Sequence, residues 1–326
     1  MTEPKPVILL SRQLPETLCA ALGQLGELRV AGSNPDDALL AGAAVYLAAG
    51  VDPVPAQLID RFGPELGLIA NIATGTDNID ARAAAARGIA VSNTPVVAED
   101  TADLTLALML ATCRRLSFCE RALRAGDWAA GTAHMGTRVH GKTLGIVGLG
   151  AIGQAVARRA AAFDMRILYH GPTAKPAVAA ALGASYRATL GELLAEADIV
   201  SLTCPLTEDS RHLINATTLA QMKAGATLIN TGRGPLVDEQ ALVEALASGQ
   251  LGAAGLDVFE HEPQVTPRLL EFDNVTLLPH IGSATAQCRT DMALRALANI
   301  RHYLERGQPL DLVTPGGAAR RGAQAG

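Results

Sequence analysis

Short runs of β-branched and leucine residues alternate with longer alanine- and leucine-rich segments along most of the chain. This alternation is typical of parallel sheets covered by helices, so the predicted fold class is α/β. In roughly the first 95 residues the pattern predicts five strands, with helices such as 15–25 and 79–87 between them, which favours a flavodoxin-like unit. The five strands are Val7–Leu10, Glu27–Val30, Ala44–Leu47, Leu68–Asn71 and Ile89–Ser92.

A second alternating series begins at Thr143 and predicts six more strands, the number in a doubly wound dinucleotide-binding sheet. These are Thr143–Val147, Arg166–Tyr169, Ile199–Leu202, Thr227–Asn230, Gly252–Leu256 and Val275–Leu278. An amphipathic segment, 284–306, follows and is long enough to return to the first domain. The Gly/Ala/Arg-rich tail, 316–326, is expected to be disordered.

Between the two series lies an unusually apolar stretch, 101–113, followed by the more polar segment 114–126. A helix this apolar must be buried. Its apolar surface fits an ordinary core helix or an interface with a partner subunit, and the sequence leaves both open. Trp128, the only tryptophan, is expected in the packed core.

The composition indicates a globular protein of two domains. The chain has 326 residues, of which 49% are hydrophobic and 18% charged, and this excludes intrinsic disorder. A net charge of -5 without a run of like charge, together with only 3% aromatic residues, argues against a nucleic-acid partner. No segment has the length of a signal peptide or a membrane span, so we expect a cytoplasmic protein without a membrane partner.

The five cysteines stand apart, without C-x-x-C or a Cys/His cluster, so no metal site is predicted. They are interpreted as buried, reduced thiols.

A glycine-rich turn follows the strand that begins at Thr143. Gly148, Gly150 and Gly153 have the G-x-G-x-x-G spacing, and Ala151 and Ile152 stand at the start of the next helix. In a dinucleotide site the first glycine permits the tight turn, the second lets the backbone approach a pyrophosphate, and the third allows close packing of helix on strand. The amides at the helix start then hold the phosphates. The alternative is a strand–helix turn without a ligand.

The next strand ends at His170-Gly171-Pro172, where an NAD site normally carries an acidic residue for the ribose hydroxyls. The missing carboxylate removes a repulsion of a 2′-phosphate, and His170, Thr173 and Lys175 are placed to contact such a group. No arginine occupies the turn. The cofactor is therefore predicted as NAD or NADP, with NADP slightly favoured; NAD held by backbone and solvent alone is the alternative.

Three further polar residues follow strand ends of this second series: Arg233 in N-T-G-R-G, Glu262 in D-V-F-E-H-E-P, and His280 in P-H-I-G-S. The arginine fork suits a carboxylate or carbonyl oxygen. A carboxylate paired with an imidazole favours the charged ring and orients it, which suits a proton donor to a carbonyl under reduction. Taken singly, the arginine is more often a surface ion pair and the glutamate a solvated side chain.

These motifs resemble the D-isomer-specific 2-hydroxyacid dehydrogenase family over nearly the whole chain. The resemblance implies that Arg233, Glu262 and His280 form the active site and that Asp257 contacts the nicotinamide carboxamide. It also implies that Thr74, Gly75 and Thr76 hold the substrate carboxylate, although a helix-capping loop would look the same. Further cofactor contacts that it implies are Cys204, Pro205, Thr231 and Gly282.

The resemblance also implies a domain layout. Residues 1–97 and 285–326 would form a discontinuous, flavodoxin-like substrate domain, and residues 98–284 a Rossmann-like cofactor domain, with the active site in the cleft between them. An arm, 101–142, would join two copies into a homodimer, which would account for the apolar stretch.

The expected activity is reduction of a small 2-oxo acid of the glyoxylate/hydroxypyruvate type to the D-2-hydroxy acid. D-lactate, 2-ketogluconate, phosphoglycerate or phosphite dehydrogenases of the same family are alternatives, since Thr74 and Thr76 depart from the residue types common there. A dinucleotide-sensing corepressor and an alanine-dehydrogenase-like enzyme remain rivals from other classes.

Overall fold

A computed structural model describes residues 5–32 and 35–313; the tail 316–326, expected to be disordered, lies outside the described residues. The chain divides into two units, residues 1–97 with 285–326, and residues 98–284. Each unit contains one sheet with buried apolar side chains on both faces, which is why most of the strands are apolar in sequence.

The strands described by the structure are, in chain order, β1 (Val7–Leu10), β2 (Glu27–Val30), β3 (Ala43–Ala49), β4 (Leu68–Ile72), β5 (Ala90–Ser92), β6 (Thr143–Val147), β7 (Arg166–His170), β8 (Ala184–Tyr186), β9 (Ile199–Leu202), β10 (Ala226–Asn230), β11 (Leu251–Leu256), β12 (Val275–Leu277) and β13 (Leu312–Val313).

The helices are α1 (Glu16–Leu25), α2 (Asp37–Leu40), α3 (Ala56–Arg61), α4 (Ala81–Ala86), α5 (Ala98–Cys113), α6 (Leu116–Arg124), α7 (Trp128–Ala133), α8 (Ala151–Ala161), α9 (Pro176–Leu182), α10 (Leu190–Glu196), α11 (Ala216–Gln221), α12 (Glu239–Ser248) and α13 (Ala286–Arg306). Short 3-10 turns cover Gly234–Leu236 and Pro267–Glu271.

The sheet of the first unit has the order β13-β5-β4-β3-β1-β2 and is parallel apart from β13. The order of its first five strands, 2-1-3-4-5, is that of the flavodoxin-like fold. The sheet of the second unit has the order β12-β11-β10-β9-β6-β7-β8 and is parallel throughout. The predicted α/β class, with two Rossmann-like sheets, is confirmed.

The second sheet reverses its strand order between β6 and β9, because β7 and β8 lie on one side of β6 and the later strands on the other. Ligands of open α/β sheets bind beyond the carboxyl ends of the strands at such a switch point. The glycine-rich turn after β6 therefore stands where the topology places a ligand.

Two strands were not predicted. β8 is a seventh strand in a sheet for which six were expected, and β13 pairs antiparallel with β5 at residues Leu312 and Ser92. β8 has three residues, none of them buried, and β13 has two, so neither produces an apolar run.

The apolar stretch 101–113 is an ordinary core helix. α5 packs on α8 and on strands of its own unit, and its buried side chains include Leu106, Leu108 and Met109. The expectation that a partner subunit accounts for its apolar character is wrong, because the second unit itself covers the helix.

Two smaller expectations need correction. Trp128 is 71% exposed rather than packed in the core. All five cysteines are free, but only Cys113 and Cys288 are buried, while Cys19, Cys119 and Cys204 are partly exposed.

Candidate active site

The glycine-rich turn has the geometry of a phosphate cradle. Gly148 has a φ of +99°, and a Cβ there would lie 2.7 Å from the backbone of Cys204. A Cβ at Gly153 would lie 2.2 Å from the carbonyl oxygen of Gly148. At Gly150, by contrast, a Cβ would meet nothing within 4 Å, so this residue borders open space at the amino end of α8. The turn therefore fits a pyrophosphate held by the first amides of α8, at Ala151 and Ile152.

The end of β7 is open where the acidic residue of an NAD site would stand. A Cβ at Gly171 would meet nothing within 4 Å, and Pro172 follows it. The orientation of the His170 ring is set by a hydrogen bond between its Nδ1 and the carbonyl oxygen of Arg187 at 3.0 Å. Lys175 reaches back to the glycine-rich turn, where its Nζ donates to the carbonyl oxygen of Leu149 at 2.9 Å.

The next two strand ends continue this edge of the sheet. After β9, Thr203 donates its hydroxyl to the carbonyl oxygen of Gly148 at 2.7 Å and so joins the Cys204-Pro205 segment to the glycine-rich turn. Burial raises the pKa of the Cys204 thiol to about 11, so the thiol is neutral near neutral pH. After β10, the Thr231 hydroxyl lies 2.8 Å from that of Thr105 on α5.

Arg233 is positioned by the last residue of β10. The Asn230 side chain accepts the N–H of Gly232 at 3.0 Å and donates to the carbonyl oxygen of Arg233 at 2.9 Å. This Asx-type turn fixes the backbone of the arginine. Sequence reasoning missed Asn230, although an asparagine at a strand end before Thr-Gly is itself a turn signal.

His280 and Glu262 form a hydrogen-bonded pair. His280 Nδ1 lies 2.8 Å from Glu262 Oε2, and Glu262 Oε1 accepts the N–H of Phe259 at 3.0 Å. Burial alone would raise the pKa of Glu262, but the hydrogen bonds from His280 and Phe259 and the charge of Arg233 outweigh it, so this pKa is lowered. The ionised carboxylate makes Nδ1 a donor and leaves Nε2 as the ring atom for proton exchange.

Asp257 holds the loop that carries His280. Its carboxylate accepts the N–H groups of Ile281 and Gly282, both at 2.8 Å, and its carbonyl oxygen accepts the N–H of His280 at 2.8 Å. Three successive amides thus bind one residue and keep His280 at a φ of +54°. Burial raises the pKa of Asp257 against the effect of these bonds. Asp257 is only 1% exposed, and its contacts in the structure position this loop.

In the first unit, buried asparagines hold the loop of Thr74, Gly75 and Thr76. Asn93 Nδ2 donates to the carbonyl oxygen of Thr74 at 2.7 Å, and Asn71 Nδ2 donates to that of Gly75 at 2.9 Å. In a trans peptide the N–H points opposite to the C=O, so the amides of Gly75 and Thr76 point away from these asparagines. The loop can thus present two amides to an anion, an arrangement the sequence left undecided.

Among residues 5–32 and 35–313 no group of His, Cys, Asp or Glu side chains could hold a metal ion. None of the described helices combines the length and apolarity needed to cross a membrane.

Comparison with known proteins agrees with this geometry. Residues 106–282 match the model of the NAD-binding domain of D-isomer-specific 2-hydroxyacid dehydrogenases. A glyoxylate reductase of Pyrococcus horikoshii is 43% identical over 95% of this chain and 96% of its own. Among solved structures, a glyoxylate reductase from Paecilomyes thermophila has a TM-score of 0.89 and 37% identity over 96% of this chain and all of its own.

An NADPH-dependent glyoxylate/hydroxypyruvate reductase from Sinorhizobium meliloti, solved with NADP and malonate, has a TM-score of 0.88 and 36% identity over 97% of this chain and 99% of its own. A family model matched over more than half the chain, and a relative this similar over nearly all of it, show that the chain belongs to the D-isomer-specific 2-hydroxyacid dehydrogenase family.

Proposed function

We propose that the chain reduces glyoxylate or hydroxypyruvate to the D-2-hydroxy acid with NADPH or NADH. Membership of the family makes it a nicotinamide-dependent oxidoreductase of small 2-oxo acids. The observation that carries the proposal is the 2.8 Å contact between His280 and Glu262, at strand ends of the sheet that also bears Arg233 and the glycine-rich turn. The names of the similar proteins support the substrate class.

His280 is the proton donor of the proposed reaction. With Nδ1 held by Glu262, the Nε2–H gives its proton to the carbonyl oxygen of the substrate as the carbonyl is reduced, and the ring regains a proton from solvent. The bound nicotinamide cofactor supplies the hydride that carbon C2 receives. In the oxidative direction the neutral ring accepts the proton at Nε2.

Arg233 binds and orients the substrate. Its guanidinium fork suits the carboxylate and the carbonyl oxygen of a 2-oxo acid. In the first unit, we assign the amides of Gly75 and Thr76 to binding a carboxylate, supported by the direction in which the asparagines hold that loop. Fixing the carboxylate also fixes C2, because both belong to one small planar group.

For the cofactor we favour NADP. The open space at Gly171 lacks the carboxylate that would repel a 2′-phosphate, and the Lys175 ammonium lies 2.9 Å from the glycine-rich turn. One charge-assisted hydrogen bond contributes about 1.5–3 kcal/mol, or about 10- to 100-fold in affinity. Lys175→Met should therefore weaken NADPH binding more than NADH binding.

Lys223→Met is the matched control. Lys223 pairs with Asp198 at 2.9 Å just before β9 begins, at the amino ends of the strands and so away from the proposed cofactor site. Titration of each protein with both reduced cofactors, followed by nucleotide fluorescence, measures the dissociation constants. Equal loss of both cofactors in Lys175→Met, or no loss of either, would contradict the role of Lys175.

The activity itself is tested by initial rates with a panel of 2-oxo acids, each run with NADH and NADPH. His280→Ala should lower turnover by about 10²–10⁴-fold with little change in cofactor affinity. Loss of cofactor binding with intact turnover at saturation would refute the assignment. A corepressor-like protein would bind the dinucleotide and turn over none of the acids.

We also infer a cytoplasmic homodimer. Four large apolar side chains of the segment 116–135 are exposed in the single chain: Leu116, Leu123, Trp128 and Met135. Such a group is typical of a protein–protein interface. Light scattering behind size exclusion should give twice the chain mass, and Leu123→Glu should shift it to the monomer; an unchanged mass would exclude this surface.

A further inference from the structure

The loop that carries Glu262 is fastened at both ends to a single buried carboxylate, that of Glu239. Glu239 is the first residue of α12 and is 5% exposed. Its Oε1 accepts the backbone N–H of Glu260 at 2.7 Å, and its Oε2 accepts the hydroxyl of Thr266. The segment from 260 to 266 thus begins and ends on one side chain, with Glu262 between the two contacts.

A second set of contacts supports the same loop. The Glu260 side chain is hydrogen-bonded to His212 Nε2 and accepts the N–H of Glu239 at 3.4 Å. His212 is itself held, because its N–H donates to the carbonyl oxygen of Pro235 at 2.8 Å. The network therefore joins the loop after β9, the start of α12 and the loop after β11.

Glu262 depends on this loop for its geometry, because its two oxygens have different partners. One bonds the N–H of Phe259 and the other bonds His280 Nδ1. A displacement of the loop backbone by about 1 Å would stretch the contact with His280, and errors of that size in a reacting group lower rates by about 10²-fold.

We propose that Glu239 is a positioning residue of the reaction. It holds the segment 260–266 so that Glu262 keeps the His280 ring correctly oriented, without touching substrate or cofactor. The inference rests on the proposed function, in which His280 donates the proton. A buried carboxylate also needs its hydrogen bonds for stability, so the test must separate positioning from folding.

Two substitutions at Glu239 make that separation. Glu239→Ala removes both anchors and should lower kcat by about 10- to 100-fold, while the dissociation constant for the reduced cofactor stays within about 2-fold. Glu239→Gln should restore most of the rate, because its oxygen can accept from Glu260 and its NH₂ can donate to the Thr266 hydroxyl oxygen.

The pH dependence supplies the readout that a merely structural role would not move. The hydrogen bonds from His280 and Phe259 and the charge of Arg233 lower the pKa of Glu262 against the effect of burial. When the loop shifts and these contacts lengthen, Glu262 takes up a proton at higher pH. The pH below which the reductive rate falls should therefore be higher in Glu239→Ala than in the wild type and restored in Glu239→Gln. The matched control is Glu244→Gln, an exposed glutamate of the same helix, which should leave the rate and the pH dependence unchanged.

Thr266→Val keeps the proposal falsifiable if Glu239→Ala does not fold, since it removes one anchor at nearly constant side-chain volume. It should give a smaller fall in kcat with the same direction of pH shift. An unchanged kcat and pH dependence in a folded Glu239→Ala, or in Thr266→Val where the first does not fold, would overturn the role of Glu239. A wild-type protein that binds the cofactor but reduces no 2-oxo acid would instead contradict the proposed function.

Discussion

Replacing Glu262 by glutamine tests the proton donor most directly, because the two contacts of Glu262 cannot both survive. In the wild type both partners, Phe259 N–H and His280 Nδ1–H, are donors. Glutamine offers only one acceptor oxygen. If that oxygen stays with Phe259, its NH₂ faces Nδ1, which must then accept, and the ring is held neutral with its proton on Nε2.

The size of the effect follows from the contact that is lost. A hydrogen bond between charged groups contributes about 1.5–3 kcal/mol to the favoured state. The side chains of His280 and Glu262 are 44% and 35% exposed, so solvent screening favours the lower end of that range. A loss of about 1.4 kcal/mol corresponds to about 10-fold, and we expect at least this fall in kcat for reduction near neutral pH. His280→Ala should fall further, because it removes the donor itself.

The assay is the pH dependence of the reductive rate for Glu262→Gln. Because the pKa of Glu262 is lowered, the wild-type carboxylate is ionised throughout the neutral range. As the pH falls through that lowered pKa, the wild type loses its carboxylate as well, so the deficit of the variant should shrink in acid. Glu271→Gln, at an exposed glutamate that pairs with Arg268, serves as the control. A Glu262→Gln enzyme with wild-type rate and wild-type pH dependence would refute the reasoning.

Three further predictions concern stability. Leu228→Ala, in a fully buried strand position, should lower the free energy of unfolding by about 2–5 kcal/mol in urea titrations, and a change below about 1 kcal/mol would contradict the packing described. Gly234→Ala would place a Cβ 1.8 Å from the carbonyl oxygen of Phe259, so we expect a lower Tm and a loss of turnover together; a wild-type Tm would disprove this contact. The hydrogen bonds from Arg187 and Arg166 lower the pKa of Glu196 to about 2, from an ordinary 4.5. Its contribution is therefore present at neutral pH and lost as the pH falls through about 2, so Glu196→Gln should be less stable than the wild type near neutral pH and equal to it at the acid end; a difference that persists in acid would contradict this.

Most of the fold could be predicted because most of its strands are buried. A continuous apolar run such as Val7–Leu10 marks a buried strand by itself, and every predicted strand is present within one or two residues of its predicted bounds. β8 and β13 were missed because they have only three and two residues and produce no apolar run. The tail 316–326 lies outside the described residues.

The candidate site likewise contains residues that could be predicted from the sequence and residues that could not. Residues that follow strand ends in short motifs, such as Arg233 and His280, could be chosen from the sequence, since the topology alone collects them at one edge. Asn93 and Glu239 could not, because their contacts join segments about 20 residues apart and an isolated Asn or Glu carries no local signal of them. Asp257 was assigned to the nicotinamide, whereas the structure shows it binding three amides of the His280 loop; the nicotinamide contact stays a prediction.

The last three strands of the second sheet, β10, β11 and β12, are neighbours in that order, and their spacing bears on the size of the substrate. Neighbouring strands of a sheet lie about 4.8 Å apart, so the backbones that lead to Arg233 and His280 are separated by two such intervals, roughly 10 Å. From that spacing we expect the two side chains to bind a head group of only a few atoms. The spacing of the strands would thus limit the size of the reacting end of the substrate. Recognition of the rest of the substrate would fall to residues outside these three strands.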